Sequence, residues 1–184
     1  MLASVLWRRT DPSGNDAVTL RRSADGWELA GVALFTDERG PCRLEYSVAC
    51  DDRWRTRRCT VTGSVGRTPV QLAIAALEGR WTLDGRHQPA VEGCVDLDLA
   101  FTPATNTLPI RRLGLEVGQS ADVRAAWLPW PPDGLQPLEQ QYRRIRPEVY
   151  RYQSDGGRFV RDLVTHSSGL VTSYPGLWEA EAAL

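Results

Sequence analysis

The chain has 184 residues, enough for one domain with its own core and short for two. Its 42% hydrophobic and 24% charged residues exclude wholesale disorder. A formal net charge of −1 lacks the basic excess that neutralises phosphates, which argues against a general nucleic-acid binder.

In chain order the dominant signal is alternation of apolar and polar residues, the period of a strand. The first seven residues meet arginines at once and hold no apolar run of signal-peptide or membrane-span length, so no integral membrane association and a cytoplasmic location are expected. Residues 17–22 and 27–35 read as strands joined by the Asp25-Gly26 turn. Residues 43–50 and 54–62 follow, then an apolar stretch over 70–77 that suits strand or helix, and a short strand over 81–83.

Val95, Leu97, Leu99 and Phe101 form one apolar face of a strand, with Asp96 and Asp98 on the other. Pro103 stops it, leaving irregular chain or a short turn as far as Pro109. Residues 113–117, 121–128, 135–145, 149–153, 158–166 and 170–174 complete the strand set, and 177–184 reads as a terminal helix. Strands this many and this closely spaced predict a mainly β protein. Its large curved antiparallel sheet would close into a barrel or half-barrel with few short helices, as one domain over residues 1–184.

The chemistry the side chains allow is restricted. All 22 basic residues are arginine, which excludes Schiff-base and P-loop lysines and leaves planar, bidentate guanidinium groups. Cys42, Cys50, Cys59 and Cys94 form no C-x-x-C pair, and His87 and His166 are the only imidazoles, so no metal site, no cofactor and reduced, buried thiols are expected. His166 beside Ser167 and Ser168 lacks a nucleophile elbow and reads as turn chemistry.

Asp96 and Asp98, two apart on a strand, would carry carboxylates roughly 6–7 Å apart, a separation that acid/base hydrolysis tolerates. The competing reading pairs them structurally with Arg111 and Arg112. If residues 110–113 are extended, one of those arginines points to each face, so at most one meets a ligand. Seven tryptophans, and Tyr142, Tyr150 and Tyr152 near Gln140 and Gln141, offer apolar faces with polar tips that suit acyl chains and sugars in a concavity, or equally the filling of a curved sheet.

The runs Cys94-Val95-Asp96-Leu97-Asp98-Leu99 and Thr102-Pro103-Ala104-Thr105-Asn106-Thr107-Leu108-Pro109-Ile110-Arg111-Arg112-Leu113 resemble the signature of the glycolipid-binding family, long catalogued as a domain of unknown function. Cys50-Asp51-Asp52-Arg53-Trp54-Arg55-Thr56-Arg57, Gln141-Tyr142, Tyr150-Arg151-Tyr152 and the closing Gly169-Leu170-Val171-Thr172-Ser173-Tyr174-Pro175 extend the likeness over most of the chain. The resemblance implies a barrel-like antiparallel fold similar to the half-barrels of bacterial lipoprotein carriers. The sequence departs from the pattern at Ser167, where an acidic residue is expected, so no carboxylate role carries over to that turn.

The expectation is a binding protein holding a small amphiphile, a glycolipid by the resemblance, in the concave interior. Asn106, Thr107, Arg111, Arg112, Gln141, Tyr142, Tyr150 and Tyr152 would contact it. The alternatives are a hydrolase of sugars or lipids acting through Asp96 and Asp98, and a protein–protein interaction module.

Overall fold

A computed structural model describes residues 2–184. The chain opens with a meander of β1 (Ala3–Thr10), β2 (Ser13–Ser23), β3 (Gly26–Asp37), β4 (Gly40–Cys50), β5 (Thr56–Val65), β6 (Thr68–Leu77), β7 (Arg80–Leu83) and β8 (Arg86–His87). A connecting stretch carries the short β9 (Leu97–Leu99) and one helix, α1 (Thr107–Leu113). The second run comprises β10 (Ser120–Leu128), β11 (Gln136–Arg146), β12 (Val149–Ser154), β13 (Phe159–Thr165), β14 (Val171–Tyr174) and β15 (Trp178–Ala183). Inward side chains alternate with outward ones along most strands; in β1, Ala3, Val5 and Trp7 are buried and the residues between them are not.

All fifteen strands belong to one sheet, ordered β8-β7-β6-β5-β4-β3-β2-β1-β15-β14-β13-β12-β11-β10-β9. The two runs therefore meet where the first strand pairs antiparallel with the last, Arg9 opposite Trp178 and Val5 opposite Ala183. Among the described residues only β9 with β10 is parallel. The sheet is curved but not closed: β8 and β9 are its edges. Chain 88–96 crosses between the two ends. The Thr56 and Ala126 amides donate to the carbonyls of Val95 and Asp96 at 3.1 and 2.8 Å, and the Trp81 indole donates to the Cys94 carbonyl at 3.0 Å.

The hollow of the sheet is filled. From Phe101 to Ile110 every residue is buried, as a 3-10 turn at Ala104–Asn106 running directly into α1. The expected irregular stretch is thus a helical plug. Pro109 is tolerated because it falls in the first turn, where its missing N–H has no intrahelical acceptor. Gly114, at φ 55°, ends the helix in the left-handed conformation, and Arg111 and Arg112 sit in the last turn, where the helix dipole favours cations.

Two other expectations need correction: residues 113–117 are the last residue of α1 and a loop rather than a strand, and the terminal segment is β15, paired with β1, rather than a helix. The strand β1, with arginines at 8 and 9, has no counterpart in the sequence reading. The four cysteines are free and buried.

Candidate functional site

With the hollow filled, the cavities that border the plug lie at the two ends of the sheet. At one end the β1–β2, β3–β4 and β10–β11 turns gather around a cleft of about 600 Å³, with Ala100 of the plug segment as its floor. Its walls are largely apolar: Phe35, Trp127, Trp130, Pro12 and Pro131. Trp130 is fixed from several sides. Its ring meets Phe35 and Phe101 edge-on at 5.7 and 5.5 Å, and its indole N–H donates to Asp37 Oδ2 at 3.2 Å. Arg39 lies over the same ring at 5.7 Å and is paired with Asp37, holding that carboxyl down at about 2 and therefore charged.

Arg9 is the unusual member of the cleft. It is the inward residue that follows Ala3, Val5 and Trp7 along β1, so the alternation that builds the core also directs a guanidinium inward at the mouth. Its Cζ lies 4.9 Å from the ring centre of Phe35 and 5.2 Å from that of Trp178. Its Nη1 is buried and, among the described residues, has no hydrogen-bond partner. Burial lowers its pKa, opposed by the charges of Asp11, Cys42 and Asp16. A buried donor left without an acceptor is costly, and a ligand oxygen in the cleft would supply one.

Below this mouth lies a buried polar knot. Tyr46 Oη donates to the Asp16 carboxylate, at 3.1 and 3.0 Å from its two oxygens, and lies 3.0 Å from Thr102 Oγ1, which also donates to Asp16. Burial pushes Asp16 up to about 7, against the opposing pull of the two hydroxyls and Arg9. Thr102 belongs to the plug, so this knot ties it to β2 and β4.

The residues singled out in the sequence are dispersed. Asn106 Nδ2 donates to Tyr142 Oη at 2.8 Å inside the protein, and the Tyr142 ring meets that of Tyr152 at 5.2 Å. Thr107 is fully buried, and its Oγ1 has no partner among the described residues. Gln141 donates to Asp122 at 2.8 Å near the surface. Arg112 clasps Asp96 bidentately, with Nε–Oδ1 at 2.9 Å and Nη2–Oδ2 at 2.6 Å, while Arg111 lies over Trp54 at 5.3 Å. The two arginines do diverge, but because they are neighbours on a helix rather than on a strand. Tyr150 and Arg111 line a cavity at the opposite end of the sheet from Arg9.

Asp98 accepts from Gln140 at 2.6 Å, and burial raises it to about 6. Asp96 is raised as well, because its desolvation outweighs the pull of Arg112. Both carboxylates thus have structural partners. Among the described residues no cluster of three or more His, Cys, Asp or Glu is placed to hold a metal ion, and no helix is long and apolar enough to cross a membrane. Sequence reasoning passed over Arg9, Phe35, Asp16 and the cleft; the signal for Arg9 was an arginine in phase with three buried residues.

Comparison with known proteins agrees with the fold. No curated protein matched the chain. The crystal structure of a DUF1089 family protein from Pseudomonas aeruginosa is 34% identical, with a TM-score of 0.79, and the match covers 89% of this chain and 91% of that one. A family model described as "putative glycolipid-binding" matches residues 4–180, from β1 to β15. The chain therefore belongs to that family.

Proposed function

We propose that the protein binds an amphiphile with a sugar head group, seated in the mouth cleft rather than deep in the hollow of the sheet. The observation that carries this reading is the orphaned Nη1 of Arg9, buried beside a rigid, tryptophan-lined cleft of about 600 Å³. The lining holds as many carboxylates, Asp37 and Glu38, as guanidinium groups, Arg9 and Arg39, which suits a neutral polyol that both donates and accepts hydrogen bonds. Trp130 offers an apolar face to the C–H side of a sugar ring or to the first methylenes of a chain. In this reading Asn106, Thr107, Tyr142 and Tyr152 act from beneath, by holding the plug that forms the floor. Gln141 and Arg112 are bound to Asp122 and Asp96 and act structurally.

The test uses an alkyl glucoside below its micelle concentration, with tryptophan fluorescence as the readout and native mass spectrometry of freshly purified protein alongside. The expected result is a saturable change in emission, with affinity reduced at least about tenfold by Trp130→Ala and by Arg9→Gln. Unchanged emission, or variants that both bind as tightly as the parent, would refute the reading.

A further inference from the structure

The end of the sheet opposite Arg9 carries a site of different chemistry. Arg112 is taken by Asp96 there, but Arg111 is not taken by anything: among the described residues its guanidinium has neither a hydrogen bond nor a carboxylate within pairing distance. Its side chain is exposed but packs at two points. The guanidinium lies over Trp54, which is itself stacked on Trp27 with ring centres 4.6 Å apart. The stem passes so close to Gly169 that a β-carbon there would stand 2.7 Å from Cδ and 3.0 Å from Cγ of Arg111. Gly169, at φ +90°, is thus the one kind of residue that admits both this turn and this arginine. One helical turn earlier, Thr107 abuts the same glycine, its Cγ2 3.5 Å from that position, and its buried hydroxyl is without a partner.

Arg111 lies between two cavities. One, of about 340 Å³, is bounded by Arg144, Glu148, Tyr150 and His166; the other, of about 460 Å³, by Arg53, Trp54 and Arg55. Arg144 donates to the neutral Pro147 and Leu115 carbonyls at 3.0 and 2.8 Å and, among the described residues, pairs with no carboxylate. The carboxylates lining these cavities are Glu148 and Asp52, and Asp52 is engaged by Arg22 at 2.5 Å. A chain of net charge −1 therefore collects a local positive excess around one exposed, uncommitted arginine.

We infer that Arg111 receives an oxyanion, a phosphate monoester or diester, at the junction of these cavities. A planar guanidinium fork matches such an oxyanion bidentately, and a guanidinium already stacked over Trp54 loses less freedom when the anion arrives than a free one. The site is separate from the sugar-binding cleft and does not depend on it. The shared chemistry has two sources, a small phosphorylated solute and the head group of an anionic lipid.

The experiment titrates the full chain with inorganic phosphate by calorimetry at low salt. In parallel the protein is sedimented with vesicles of phosphatidylcholine, alone and mixed with phosphatidylglycerol. Binding is expected in at least one arm and absent with phosphatidylcholine alone. Arg111→Gln should weaken it at least about tenfold, Arg111→Lys less, and Arg67→Gln, the same loss of charge on the distant β5–β6 turn, not at all. Phosphate binding identifies a small solute, and binding to phosphatidylglycerol vesicles alone identifies a lipid head group. Absence of binding in both arms, or binding that the Arg111 variants leave intact, overturns the proposal. Thermal melts confirm that the variants fold; should Arg111→Gln unfold, the Arg111→Lys result decides.

Discussion

At the residue scale the protein places carboxylates where water cannot reach them, and each placement has a measurable signature. Asp16 is raised from an ordinary 3.8 to about 7 by burial, so the folded state holds a proton that the unfolded state has released. Between these values the native state binds more protons than the unfolded one, and stability falls as pH rises through that window. Asp98, raised to about 6, adds to the same slope. Asp16→Asn keeps an acceptor for Tyr46 and Thr102 and removes the titration. Melting temperature between pH 4 and 7 should therefore decline less steeply in Asp16→Asn than in the parent; an unchanged slope would mean that Asp16 is not the group responsible. The Asp96–Arg112 clasp behaves differently, because one partner alone is worse than neither. Arg112→Ala strands a carboxylate that is 1% exposed and should lower unfolding free energy by about 3 kcal/mol in urea titrations.

At the element scale the decisive piece is the plug. Leu108 is fully buried on α1, and Leu108→Ala should cost about 2–5 kcal/mol, measured by chemical denaturation. The loss should also raise the exchange rate of amide protons over 104–110, since the plug owes its place to packing rather than to helix propensity. The sequence made the long strands legible: β2 to β4 and β10 to β13 are governed by alternation and by Gly- and Asp-rich turns. It misled where tertiary contacts outweigh local preference. The segment Trp178–Ala183, rich in Ala and Glu, has the propensity of a helix, yet its backbone groups are claimed by the free edge of β1. The seven residues of α1 are too few to show a helical period, and Pro109 reads as a breaker unless its place in the first turn is known. The candidate site was legible in chemistry and not in position. Tryptophan and arginine, the residue types singled out in the sequence, also line the cleft, but a sequence does not reveal that Arg9 of β1, Phe35 of β3 and Trp130 of the β10–β11 loop converge.

At the scale of the whole molecule the sheet has one seam, the pairing of β1 with β15, which joins the two meanders. Removal of residues 177–184 would expose β1 as a new edge and take Trp178 from beside Arg9, so the truncated chain is expected to lose cooperative melting and to aggregate; a sharp transition near that of the intact chain would argue against the seam's importance. The edges themselves are handled differently. β8 has two residues and β9 three, too short to recruit another sheet, and the crossing chain at 88–96 covers the gap between them.

That seam also leaves the backbone at its two extremes side by side: the Ser4 amide donates to the Leu184 carbonyl and the Leu184 amide to the Ser4 carbonyl, both at 2.9 Å. A circular permutant joined across this point by a few glycines, and reopened in the exposed β5–β6 turn at Gly66 and Arg67, would keep every ladder but one intact at both ends. New ends introduced there would let reporter groups be attached far from the Arg111 corner.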